Sequence, residues 1–242
     1  MIYVIDGTID GILTAVFNSY LIKKFPSAVS DGEVQFNLFE EIVNVTTEPQ
    51  KADRVFNKLY KILPKSEVER IFIAIRSGDN AKHTIIFNYI VKTIDKGKYI
   101  GDKFTDKDVF NFDKLVSQVQ LEAHRFKGFI RFSKAENGVY YAKYFPDSDV
   151  NTLILPHFVA RFKNMPFILH DLHHDVISAH YNGKTKTVRQ KVNELTINDE
   201  FSKLFKTYYD SVFIKERANE RLMRNSMPKR YHKYMPEKNE LL

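Results

Sequence analysis

The run Val139-Tyr-Tyr-Ala-Lys-Tyr-Phe145 decides the fold class, because the chain changes there from a helical period to a period of two. A second short run, Phe129-Ile-Arg-Phe132, precedes it, and Glu136-Asn-Gly138 separates the two. An Asn-Gly pair between apolar runs is typical of a β-hairpin. We therefore predict that a sheet begins near residue 129, with these two runs as its first strands.

Upstream of this hairpin, apolar residues recur at helical spacing. One stripe begins at Ile9, the stretch 49–94 carries three more with an interruption at Pro64, and a last stripe runs from Val109 to Phe126. Met1 to Ile5 has the composition of a short buried strand, and Val34 to Leu38 alternates as a strand does. The N-terminal half is therefore predicted to be mainly helical.

Downstream, a helix bearing Phe158 and Phe162 is predicted, which either begins at Pro156 or is kinked there. Two strands follow, at 166–169 and 176–181, and a last long helix covers about 198–225. Helices followed by a hairpin-containing sheet predict an α+β fold: a helical N-terminal half packed with a small antiparallel or mixed sheet, and a long basic C-terminal helix. We expect a single domain over 1–242, with 96–107 as the best candidate for a subdomain boundary and 227–242 as a basic tail.

Composition excludes several classes of protein. Of 242 residues, 43% are apolar and 28% are charged, which is typical of a globular chain. The absence of cysteine excludes disulfides, thiolate zinc sites, iron–sulfur clusters and a cysteine nucleophile. No apolar stretch approaches the roughly 20 residues of a membrane span, and Met1 to Asp6 lacks the basic region of a secretory signal. We expect a protein of a bacterial-type cytoplasm with no membrane contact and no cofactor.

Charge is concentrated near the carboxyl end. Thirty-seven Lys and Arg against 30 Asp and Glu leave a net charge of +7. The window from Ser211 to Met235 holds two acids, Glu216 and Glu220, and seven cations: Lys215, Arg217, Arg221, Arg224, Lys229, Arg230 and Lys233. Such an excess favours binding to a polyanion, of which nucleic acid is the commonest. The alternative is a solvated surface helix with a basic tail.

The C-terminal cations have a regular arrangement. Arg217, Arg221 and Arg224 line one face of the predicted helix, and in 228–236 cations alternate with aromatic residues. Cations bind phosphates and tyrosines stack on exposed bases, so we predict DNA contacts at Arg217, Arg221, Arg224, Lys229, Arg230 and Tyr231. The alternative is a tail whose Tyr231, Tyr234 and Met235 dock onto the protein itself.

A candidate catalytic histidine lies at the end of the helix that precedes the sheet. His124 falls outside the apolar stripe of that helix, on a polar face. Nearby Arg125, Lys127 and Arg131 are suited to hold an anion, and a histidine beside an anion site can act as an acid or base. We assign catalysis to His124 and Arg125, and nucleic-acid binding to Lys127 and Arg131. The alternatives are a solvated surface histidine or a helix C-cap.

Two further motifs suggest ligands only weakly. His170 and Asp171 are metal-binding residue types. In a strand they face opposite ways, whereas in a turn they could share a metal, and no zinc-site spacing surrounds them. They are weak candidates, and no metal is predicted. Residues 6–11, Asp-Gly-Thr-Ile-Asp-Gly, could hold a phosphate on backbone N–H groups, although a turn followed by a helix cap explains the same residues.

Several of these segments together resemble an uncharacterised bacterial family of probable DNA-metabolism or DNA-repair proteins. The matching stretches occur in order along nearly the whole chain: 6–17, 122–132, 156–158 with 161–162, 170–171, 214–217 and 227–231. Proteins of this kind are encoded beside a putative radical-SAM DNA-repair protein, and similar domains are fused to uracil-DNA-glycosylase-like domains. The sequence departs from the pattern at His232, where a tryptophan is expected, and in the pair His173-His174.

The resemblance implies a role in DNA metabolism without an established catalytic residue. Three hypotheses follow: a DNA-binding protein, an enzyme on damaged or modified nucleotides with His124 as acid or base, and an accessory subunit of a radical-SAM repair protein. The expected partners are DNA and that radical-SAM protein.

Overall fold

The computed structural model describes residues 1–32, 40–135, 138–192 and 228–235. Contacts between Cα atoms divide the chain into two compact units, Met1–Gln120 and Leu121–Leu242, so the division falls inside one long helix. The predicted strand at 34–38 and the predicted helix at 198–225 lie outside the described residues. Residues 96–107 belong to the first unit, and a subdomain boundary there stays a prediction.

The first unit combines a small parallel sheet with helices. Its strands are β1 (Ile2–Val4), β2 (Ala28–Ser30) and β3 (Ile42–Asn44), in the order β2-β1-β3. Its helices are α1 (Ile9–Ile22), α2 (Pro49–Ile62), α3 (Lys65–Ala74), α4 (Lys82–Lys96) and the first part of α5 (Lys107–Phe129). The helical stripes and the interruption at Pro64 are confirmed. The parallel pairing of β1 with β2 and β3 was not predicted.

The second unit is built on a mixed sheet with the order β4-β5-β6-β7-β8. The strands are β4 (Ser133–Lys134), β5 (Tyr140–Tyr144), β6 (Phe167–Asp171), β7 (Val176–Tyr181) and β8 (Lys184–Arg189). Among the described strands of this sheet, β5 and β6 pair in parallel and the other neighbours pair antiparallel. Helix α6 (Asn151–Phe162) connects β5 to β6 and packs on β6 and β7. The prediction of an α+β fold with a helical N-terminal half and a mixed sheet is confirmed.

One detail of the sequence prediction is corrected, and one of the two alternatives for Pro156 is excluded. Helix α5 continues to Phe129, and the first strand of the hairpin is Ser133–Lys134 instead of 129–132. The ring of Phe132 is half-buried and packs against the rings of Phe158, Phe162 and Phe167. Pro156 lies inside α6 and does not begin it.

The C-terminal part of the described chain is a short 3-10 helix, Lys229–Tyr234. In the described ranges no helix combines the length and the hydropathy that crossing a lipid bilayer requires.

Candidate functional site

A buried carboxylate on α5 organises one side of the second unit. Glu122 is 7% exposed and shares the apolar face of α5 with Val119 and Phe126. Its two oxygens accept hydrogen bonds from the backbone N–H groups of Asp147 (2.9 Å) and Ser148 (2.8 Å), just before α6. An ionised carboxylate that accepts several donors is well satisfied even when buried. The sequence reasoning missed Glu122, although an acid on an apolar stripe is a usable signal.

The third donor to Glu122 is the hydroxyl of Tyr231, at 2.7 Å from Oε1. Tyr231 and Met235 are each 2% exposed, and the Tyr231 ring centroid lies 4.6 Å from that of Phe126. A ring that is buried in this way has no face open to a nucleic-acid base. Tyr231 therefore docks onto the protein itself, which was the alternative to base stacking. Lys233 in the same short helix is exposed, with its ammonium 5.6 Å from the centre of the Tyr234 ring.

The other predicted DNA-binding residues near the carboxyl end are not placed by this structure. Arg217, Arg221 and Arg224 lie outside the described residues, as do the side chains of Lys229 and Arg230. Their roles stay predictions from the sequence.

The residues around His124 occupy the end of α5. The side chain of His124 is exposed, as a polar face requires, and Arg125 and Lys127 are half-buried. Nη1 of Arg131 donates to the carbonyl oxygens of Gly128 at 2.7 Å and of Ile130 at 3.4 Å. Arg131 therefore contacts the last carbonyls of α5, where a cation is stabilised by the helix dipole. The catalytic role of His124 and Arg125 stays a prediction.

His170 and Asp171 are the last residues of β6, and they face opposite sides of the sheet. His170 is buried, and its Nδ1 lies 2.8 Å from the hydroxyl of Tyr141. Asp171 is completely buried and accepts hydrogen bonds from the backbone of His173 and His174. Within the described ranges, no three metal-binding side chains come together. The pair therefore supports the strand and its turn.

The turn after β6 holds a histidine–aspartate pair. Nδ1 of His174 lies 2.9 Å from Oδ2 of Asp171. Burial lowers the pKa of His174, but the hydrogen bond and the negative charge of Asp171 outweigh it, so the pKa is raised above 6.5. Arg189 binds to the same turn. Its guanidinium donates hydrogen bonds to the carbonyl oxygen of His174 (3.0 Å) and to the carboxylate of Asp149 (2.7 Å).

The neighbouring His173 also has a defined place. Its Nδ1 lies 2.5 Å from the carbonyl oxygen of Pro146, and its ring stacks on Phe145 with centroids 4.6 Å apart. Both members of the His173-His174 pair thus make defined contacts.

In the first unit, residues 6–11 form the turn and cap that the sequence allowed as an alternative to a phosphate site. Oδ1 of Asp6 accepts from the backbone N–H and the hydroxyl of Thr8, and Oδ2 accepts from the hydroxyl of Thr47. Burial raises the pKa of Asp6, but these donors outweigh it and lower the pKa below 3.8. The hydroxyl of Thr8 in turn accepts from Gly11 N–H and caps α1.

A buried histidine lies near the same edge of the parallel sheet. His83 is 1% exposed, and neither ring nitrogen has a hydrogen-bond partner among the described residues. Its Nδ1 is 3.5 Å from Oδ1 of Asp31, a side chain that is half exposed. Burial lowers the pKa of His83, Asp31 opposes that effect, and Lys82 adds to it.

The model of a domain of unknown function, DUF4130, matches residues 80–237. The chain therefore belongs to the DUF4130 family. No curated protein sequence matches it.

Proposed function

We propose that the chain is a cytoplasmic DNA-metabolism or DNA-repair protein that binds DNA through its C-terminal basic segment. The proposed phosphate contacts are Arg217, Arg221, Arg224, Lys229 and Arg230. The observation that carries the proposal is the docking of this segment: the hydroxyl of Tyr231 donates to buried Glu122, and Tyr231 and Met235 are almost fully buried.

Docking matters because it attaches residues 228–235, at one end of a cation-rich window of the sequence, to the second unit. The window 211–235 holds seven cations against two acids. The attachment of residues 228–235 leaves less conformational freedom for DNA binding to remove at this end of the window. Tyr231 therefore enters the proposal as an attachment point and not as a stacking residue.

The family resemblance supports a DNA role. The segments shared with probable DNA-metabolism proteins include 214–217 and 227–231, which belong to the basic region. The same resemblance motivates a radical-SAM repair protein as the partner of the chain.

The salt dependence of DNA binding tests this proposal. We expect the affinity of the full chain for DNA to fall steeply as salt rises, because each neutralised phosphate releases counterions. A triple variant, R217Q/R221Q/R224Q, should bind more weakly and with a shallower slope. A control variant, K58Q/K61Q, removes two exposed lysines from α2 and should bind as the native chain does. Native affinity and slope in the triple variant would contradict the proposal.

A second candidate function is an enzyme that acts on damaged or modified nucleotides. The favouring observation is the exposed His124, which shares the end of α5 with half-buried Arg125 and Lys127. His124 would be the acid or base, and the two cations would bind phosphate. The test is a screen of uracil-containing and abasic DNA by mass spectrometry. A product that forms equally fast with H124A would exclude this role of the histidine.

A third arrangement is an accessory subunit that delivers DNA to the radical-SAM protein. The chain has no cysteine to hold an iron–sulfur cluster, so the partner would supply that chemistry. Co-purification of the two proteins is expected. DNA turnover by this chain alone would contradict the accessory role.

A further inference from the structure

The hairpin of β7 and β8 carries cations on an open surface. Residues 176–192 contain four cationic side chains and no acidic one: Lys184, Lys186, Arg189 and Lys191. All six residues of β8 are exposed. Arg189 forms an ion pair with Asp149. Lys184 and Lys186 form no ion pair within the described residues.

The register of the hairpin places an aromatic ring beside these two lysines. Tyr181 pairs with Lys184, and Ala179 pairs with Lys186, so all four side chains are on the same face of the sheet. Tyr181 is 65% exposed. Since Ala179 contributes only a methyl group next to the ring, the aromatic face stays open to solvent.

The opposite face of the hairpin is held by hydrogen bonds. Ser178 donates to Asn151 of α6, and Nε2 of His180 lies 2.7 Å from the carbonyl oxygen of Lys163. The turn residues Asn182 and Gly183 have φ values of 48° and 71°, as a tight two-residue hairpin turn requires. The hairpin is therefore fixed to its own unit, and its outer face is presented in one orientation.

We infer that Tyr181, Lys184 and Lys186 form a contact surface for unpaired bases of DNA. The inference rests on the proposed DNA-binding function and specifies the form of DNA, single-stranded or locally unpaired. The tyrosine ring stacks on a base, and the two ammonium groups bind the adjacent phosphates. Stacking accepts any base, because every base has a π face, whereas a duplex keeps its bases stacked on each other.

Lysines on an edge strand also have a purely protective function, which is to prevent pairing with the edge of another sheet. That function needs charge and does not need an open aromatic ring. Substitutions of Tyr181 therefore separate the two explanations.

The experiment uses the full chain and fluorescence anisotropy with two probes, a labelled single-stranded oligodeoxythymidylate and a duplex of equal length. Y181S is expected to weaken single-strand binding about tenfold, while Y181F keeps native affinity because the ring remains. K184Q/K186Q should reduce the slope of log affinity against log salt by about 1.4, since each single-strand phosphate contributes about 0.7. K58Q/K61Q is the matched control, and melting temperatures verify that all variants fold.

The outcomes separate this inference from the proposed function. If Y181S and K184Q/K186Q bind the single strand as K58Q/K61Q does, the hairpin surface is overturned, and loss of binding in R217Q/R221Q/R224Q would still support the C-terminal segment. If only the hairpin variants lose affinity, the hairpin stands and the C-terminal proposal fails. A native chain that binds neither probe overturns both.

Discussion

Each unit of the molecule contains a histidine next to an aspartate, and the two pairs behave in opposite ways. In the first unit, His83 Nδ1 and Asp31 Oδ1 are 3.5 Å apart and form no hydrogen bond. In the second unit, His174 Nδ1 and Asp171 Oδ2 are 2.9 Å apart and form one. The pKa of His83 is lowered and that of His174 is raised.

The comparison shows that a neighbouring acid can outweigh the effect of burial on the pKa of a histidine. Burial lowers the pKa in both cases. The side chain of Asp31 is 50% exposed, so water screens its charge, whereas that of Asp171 is fully buried and aligned with the ring. At His174 the short distance to Asp171 and the full burial of that carboxylate together outweigh the effect of burial on the pKa.

Removing the two aspartates should give the largest contrast. Asp171→Ala is expected to lower the free energy of unfolding by about 3 kcal/mol, because two backbone N–H groups and a histidine lose a buried charged acceptor. Asp31→Ala should change it by less than about 0.5 kcal/mol at neutral pH, where His83 is uncharged. Urea unfolding measures both. Equal losses in the two variants would show that the pairs are equivalent after all.

Replacing His174 should have a smaller effect that depends on pH. The folded-state pKa is raised, so the stabilisation is fully present below about pH 6.5 and is lost as pH rises through the folded-state pKa. His174→Asn is therefore expected to cost about 1–2 kcal/mol at pH 6 and less at pH 8. The measurement is urea unfolding at both pH values, with exposed His157→Asn as the control. A cost that is constant with pH would contradict the charged pair.

Replacing His83 should sharpen the opposite behaviour. Its folded-state pKa is lowered, so its neutral form is stable above about pH 6.5, and stability is lost as pH falls through the folded-state pKa. His83→Leu removes two unpartnered buried nitrogens, so we expect a change within about 1 kcal/mol at pH 8. At pH 5 the variant should lose less stability than the native chain. If the free energy of unfolding changed with pH in the same way in the native protein and in His83→Leu, a buried neutral histidine at this position would be ruled out.

The smallest effect is expected from Arg189→Gln. This exposed guanidinium bridges Asp149 and the carbonyl oxygen of His174, and its removal should cost about 0.5 kcal/mol. Its positive charge also lowers the pKa of His174 slightly, so the histidine should titrate at a higher pH in the variant. Histidine NMR titration measures that shift. Lys184→Gln, which removes an unpaired cation, should leave the titration unchanged.

Local patterns predicted most helices and several strands. The stripe from Val109 to Phe126 became α5, Pro64 separated α2 from α3, and the predicted strand at 176–181 became β7. These features depend on residues within a few positions of each other, which is why periodicity and turn chemistry report them. The strand predicted at 129–132 was wrong because Phe132 packs against Phe158 and Phe162. That packing involves residues distant in the chain.

The amino-acid sequence by itself determined the α+β class, the concentration of charge near the carboxyl end and the absence of thiol chemistry, because these follow from composition and short-range spacing. Only the tertiary structure decided that Tyr231 docks on Glu122, 109 residues away in the chain, and that Tyr181 stands open beside Lys184. Burial and hydrogen bonding depend on which residues distant in the chain come together. For that reason one tyrosine, Tyr231, is buried and hydrogen-bonded, whereas another, Tyr181, is exposed to solvent.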